Sequence, residues 1–119
     1  MSYVALATLR FDEMLAFYSQ KLGLKVIESF DRSNARGAFI DLRGGSRLEL
    51  IDASRQSRPM KLGNQADDRF HIVIETDDIS QDAATLDLPE PQKTSWSASI
   101  IALRDPDNVS IWFLQWDQV

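Results

Sequence analysis

Apolar and polar positions follow one another along this chain in two similar rounds. Tyr3-Val4-Ala5-Leu6-Ala7-Thr8 is a strand-like run, and Phe70-His71-Ile72-Val73-Ile74-Glu75 repeats that opening in the second half. After the first run, Phe11, Met14, Leu15, Tyr18 and Leu22 recur at helical spacing, with Asp12 and Glu13 in the first turn and Lys21 and Gly23 at the end. A helix is therefore expected, with one face packed on a sheet. Residues 25–31 read as a strand, 32–37 as a loop, and 38–42 with 47–52 as a hairpin about Arg43-Gly44-Gly45-Ser46. In the second round, residues 79–88 predict a short helix cut off by Pro89 and Pro91, because proline removes a donor and restricts the residue before it. A short strand is expected near residues 92–95, and 96–104 with 109–115 form a hairpin about Asp105-Pro106-Asp107-Asn108. Residues 53–68 carry Ser, Arg, Pro, Gly and Asn without apolar periodicity and read as a linker between module one, 1–52, and module two, 69–119.

Period-two alternation assigns faces to the strands. Leu48 and Leu50 share one side while Arg47, Glu49 and Ile51 share the other, and His71, Val73 and Glu75 oppose Phe70, Ile72 and Ile74. In the last strand Ser110, Trp112 and Leu114 lie opposite Val109, Ile111 and Phe113, and the first strand groups Tyr3 with Ala5 and Ala7. A duplicated half-domain of this kind is expected to enclose a hollow, with Tyr3, Glu49, His71 and Trp112 facing it.

Composition narrows the chemistry. At 119 residues one core is attainable, since a chain of this size buries roughly two thirds of its unfolded surface. No apolar run approaches the ~20 residues that span a membrane, and Met1-Ser2-Tyr3-Val4 lacks the basic patch and apolar core of a secretion signal, so a cytoplasmic location is expected. Without cysteine there is no disulfide, thiolate nucleophile or cysteine-type zinc site. The formal charge of -5 repels a phosphate backbone, which argues against nucleic acid and suits a cationic partner; it also simply favours solubility.

Four segments carry a family resemblance: Phe17-Tyr18-Ser19-Gln20-Lys21-Leu22-Gly23-Leu24 after an apolar strand, Leu48-Glu49-Leu50, Phe70-His71-Ile72, and Leu103-Arg104-Asp105-Pro106-Asp107-Asn108 before the final strand. In order and spacing they resemble the vicinal-oxygen-chelate superfamily, which includes glyoxalase I, extradiol dioxygenases, fosfomycin resistance enzymes and bleomycin resistance proteins. The resemblance implies an α+β fold of two βαβββ modules whose curled mixed sheets enclose a cavity, one domain over residues 1–119, and a homodimer. It also implies metal-ligand positions at Tyr3, Glu49, His71 and Trp112, of which only Glu49 and His71 carry ligand chemistry. An indole offers a donor alone, and a tyrosine ligates only after losing a proton whose reference pKa is about 10. Two groups hold a hard ion loosely, with much water retained. One histidine in the whole chain excludes the two-histidine, one-carboxylate set of the dioxygenases.

The cavity gains aromatic and acidic surface instead. Tyr3, Trp96 and Trp112 present rings to a planar or cationic ligand, and Glu49 supplies opposite charge. The segment from Trp96 to Pro106 is also similar to the bleomycin resistance branch, whose members lack the metal set and sequester a cationic drug. The leading expectation is thus a non-enzymatic, metal-free binding protein in the manner of antibiotic resistance proteins, with Tyr3, Glu49, His71, Trp96 and Trp112 around a cationic or aromatic small molecule. The alternative is a divergent glyoxalase- or dioxygenase-like enzyme using a divalent metal ion on Glu49 and His71. Two plainer readings stay open: His71 as a hydrogen-bonded wall residue, with Glu49 as its acceptor or in solvent, and Trp96 and Trp112 as core packing in a scaffold with a filled interior.

Overall fold

Two four-stranded mixed sheets carry the two rounds of the sequence. They are ordered β1-β4-β3-β2 and β5-β8-β7-β6, the same arrangement used twice. The computed structural model describes residues 2–63 and 67–118, within two compact units, Met1–Gln65 and Ala66–Val119.

In the first unit, β1 (Val4–Thr8) runs parallel to β4 (Arg47–Asp52), while β3 (Ala35–Asp41) lies antiparallel to both β4 and β2 (Val26–Arg32). One sheet face buries Leu48, Leu50, Ile40 and Ala38 completely. Helix α1 (Phe11–Ala16) continues as a wider π-helical turn over Phe17–Lys21, in which the Leu22 amide donates to the Phe17 carbonyl at 2.9 Å. The widened turn keeps Phe11, Met14, Tyr18 and Leu22 all on the buried side. Gly23 then takes the left-handed conformation, and the Leu24 amide reaches back to the Tyr18 carbonyl at 3.0 Å, closing the helix. Arg36 ties helix to sheet: its guanidinium lies 4.4 Å from the Phe11 ring centre and donates to Asp12 at 2.6 Å.

In the second unit, β5 (Ile72–Glu75) runs parallel to β8 (Ser110–Trp116), and β7 (Ala98–Arg104) pairs antiparallel with β8 and with the two-residue β6 (Gln92–Lys93). Helix α2 (Ile79–Leu86) starts on Asp78, whose carboxylate accepts from the Gln81 amide at 3.0 Å. The Gln115 side chain holds the same helix start to β8, accepting from the Ile79 amide and donating to the Asp77 carbonyl. Ile72, Ile74, Ile101, Ile111 and Phe113 are buried on one face of this sheet, with Ile79 of α2 buried as well. No helix among the described residues is long and apolar enough to cross a membrane.

Each module thus has the strand, helix, three-strand order expected of an α+β pair. Boundaries differ where backbone chemistry overrides pattern. Helix α2 ends at Leu86 rather than 88, because Asp87 turns left-handed at φ 54° before Pro89 is reached. The expected loop at 32–37 shrinks to a turn at Ser33 and Asn34, since β2 runs on through Arg32 and β3 begins at Ala35. The final strand extends to Trp116.

Candidate functional site

Opposite its helix-packing face, the second sheet presents the alternate set of side chains. Register places Val73 and Ala102 on either side of Trp112, and Glu75 and Ile100 on either side of Leu114. Arg104 faces Ser110 at one end and Ala98 faces Trp116 at the other. All three tryptophans of the chain meet here. Trp112 stacks on His71 with ring centres 3.9 Å apart and planes 19° from parallel. Trp96, on the turn before β7, lies 6.3 Å from Trp112 and 5.5 Å from Trp116. Such a cluster on a sheet is ordinarily covered, yet Trp96 and Trp116 remain 43% and 53% exposed and Val73 43%. Uncovered indole faces beside charge are chemistry suited to a planar or cationic ligand.

Charge is distributed unevenly along this face. The Trp116 indole donates to the Glu75 carboxylate at 2.5 Å, leaving an acidic group next to two exposed rings. Arg104 and His71 occupy the opposite end, four residues along the strand from the Glu75 row and so roughly 13 Å away at ~3.3 Å per residue. There a groove of about 390 Å³ is lined by Asp68, His71, Ala102, Arg104, Ser110 and Trp112, together with Leu103. Nδ1 of His71 shares a 2.5 Å hydrogen bond with the buried Ser110 hydroxyl, which together with the Trp112 stack fixes the imidazole plane.

Of the five residues singled out in the sequence, His71, Trp96 and Trp112 therefore come together. Tyr3 and Glu49 lie in the first unit, on the face of its sheet that α1 does not cover. Glu49 is half-buried between Ala5 and Phe39 in register. Tyr3 meets Phe39 edge-on at 5.2 Å, and the Arg47 guanidinium sits 5.2 Å from the Tyr3 ring centre and 5.0 Å from that of Phe39. The Tyr3 ring thus already faces a cation supplied by its own strand neighbour.

Among the described residues, no three His, Cys, Asp or Glu side chains gather in a way that could hold a metal ion. His71 stacks on an indole and shares its Nδ1 hydrogen bond with a hydroxyl, and the one carboxylate lining the same groove, that of Asp68, is paired with Arg104. This donor set does not fit a catalytic metal, which needs about three protein ligands and an open position.

Sequence reasoning missed Trp116, Glu75, Ser110, Arg104 and Asp68. Alternation already put Glu75 on the His71 side and Ser110 on the Trp112 side. Trp116, four residues beyond Trp112, falls on that face once the strand is extended by one residue.

Paired βαβββ-like modules with four-stranded mixed sheets define an architecture rather than one activity. The chain belongs to the Glyoxalase/Bleomycin resistance protein/Dioxygenase superfamily, which it matches over residues 1–113. No curated protein matches it in sequence. Its fold is similar to that of TnmS3, an antibiotic binding protein from Streptomyces sp. CB03234, at 20% identity and TM-score 0.65 over 98% of each chain. It is similar also to a bleomycin-binding protein complexed with bleomycin, at 20% identity and TM-score 0.64 over 97% of each chain. A lactoylglutathione lyase from Agrobacterium tumefaciens is as near, with 20% identity and TM-score 0.64 over 97% of this chain and 92% of that one. These likenesses concern the fold, which hosts both binders and enzymes.

Proposed function

We propose that this protein is a metal-free binder that sequesters a cationic or aromatic small molecule, holding it on the open face of the second sheet without chemical change. The observation that carries this reading is the row of rings from His71 through Trp112 and Trp96 to Trp116, with Trp96 and Trp116 exposed and the Glu75 carboxylate bonded to Trp116 at the far end. Each cation–aromatic contact contributes roughly 0.5 to 2 kcal/mol, and a micromolar dissociation constant needs about -8.2 kcal/mol, so a few rings and one carboxylate suffice on a preformed surface. The antibiotic-binding proteins that share the fold support the same direction. Tyr3 and Glu49, on the open face of the first sheet, are proposed as ligand contacts of that module in its own right, and residues 1–119 as a single domain. The twist natural to a four-stranded mixed sheet supports concave open faces, and the protein works as a cytoplasmic homodimer in which each copy contributes 13.5 kDa.

Two readouts on one purified sample test sequestration against catalysis. Metal content is expected to be far below one ion per chain, and bleomycin incubated with the protein is expected to be recovered with its mass unchanged. Stoichiometric metal that is lost in His71→Ala would overturn the metal-free binder and favour the alternative, a divergent glyoxalase- or dioxygenase-like enzyme using Glu49 and His71.

A further inference from the structure

We propose that the groove beside His71 and Trp112 takes an aromatic carboxylate, whose acidic group pairs with Arg104 in the position that Asp68 fills in the free protein. The inference rests on the aromatic-binding reading and adds to it the chemical class of one end of the ligand. Arg104 is set for this task by the backbone: its Nη1 donates to the Asn108 carbonyl at 3.0 Å, so the turn after β7 holds the guanidinium whatever its other nitrogen meets. Nη2 meets the Asp68 carboxylate at 2.5 Å.

Asp68 is a weakly held occupant. Its side chain is 79% exposed against 33% for Arg104, and it lies in neither helix nor strand. Its neighbour Asp67 is committed elsewhere, because hydrogen bonds from the Arg69 side chain hold the Asp67 carboxyl below the usual carboxylate range. An exposed ion pair contributes little net stability, so a ligand carboxylate replaces Asp68 like for like. The ligand adds what Asp68 lacks, a ring to lie along Trp112 and His71. Ala102, opposite Trp112 in register, leaves room above the sheet, and a groove of about 390 Å³ falls within the size range of small-molecule sites. A ligand carboxylate on Nη2 repeats the charge-assisted hydrogen bond that Asp68 makes there. A cationic substituent on the same ligand would extend toward Glu75.

Calorimetric titration of the full chain with indole-3-acetate, its neutral amide and tryptamine separates these claims, since the three share one ring. The acetate is expected to bind about tenfold more tightly than the amide at low salt, as charge-assisted pairing requires. Arg104→Gln should bring the two to equal affinity, with the fold checked by its melting curve. Asp68→Asn, on an exposed segment, should raise acetate affinity about threefold and leave the amide unchanged, as expected from losing a weak competitor. Equal binding of acetate and amide to the unaltered protein, a preference that survives Arg104→Gln, or no gain in Asp68→Asn overturns the carboxylate site alone. Failure of all three probes to bind overturns the aromatic reading together with it.

Discussion

Phe113→Ala is expected to lower the free energy of unfolding by about 3 to 5 kcal/mol, read from the midpoint and slope of a urea transition. Phe113 is fully buried and stands in register between Ile74 of β5 and Ile101 of β7, which are 0% and 2% exposed. Truncating it leaves a cavity that neighbours fixed in a sheet cannot collapse to fill. The preceding residue should behave in the opposite way. Trp112 is larger, but it points to the open face, where it touches His71 and Trp96 and borders the groove. Its loss should cost distinctly less stability than that of Phe113 and should fall chiefly on ligand binding. One step along a strand thus separates a residue that maintains the fold from one that the fold exists to present.

Gly37→Ala is expected to destabilise by about 3 kcal/mol, the upper part of the range for overpacking. A Cβ at this position would stand 2.7 Å from Cζ of Phe30 and 2.8 Å from the Leu50 carbonyl oxygen. The Phe30 ring can swing away. The Leu50 carbonyl belongs to the central strand β4, so relieving that contact means parting β3 from β4. Gly44→Ala provides the contrast in the same denaturation series: nothing lies within 4 Å of its Cβ position, and only its φ of +71° opposes a side chain. That backbone cost is about 1 kcal/mol.

Strand faces were the most legible feature of the sequence, because alternation needs no partner to be read. Alternation over residues 47–52 predicts a strand, and they form β4 with Leu48 and Leu50 inward, while His71 falls on the side opposite Ile72 and Ile74. The β2–β3 connection was less legible. Arg32 and Arg36 look like loop residues in a one-dimensional pattern, yet in the fold the Arg32 carbonyl accepts from Arg55 and the Arg36 guanidinium pairs with Asp12, satisfying polar groups at the strand ends. The site was legible in part. His71, Trp96 and Trp112 could be picked out by residue type and face, whereas Glu75 with Trp116, His71 with Ser110 and Asp68 with Arg104 are partnerships across 36 to 41 residues. Such pairings depend on which strands become neighbours, and alternation carries no information about that.

The measurement that bears most directly on the proposed function is a calorimetric titration of a panel of aromatic cations, bleomycin among them, into the unaltered protein and into Trp112→Ala. Saturable binding with a micromolar dissociation constant is predicted for the former, and at least ~30-fold weaker binding for the latter, as for a central aromatic anchor. Unsaturated heats with the unaltered protein, or equal affinity in the two, would contradict a ligand seated on the tryptophan face.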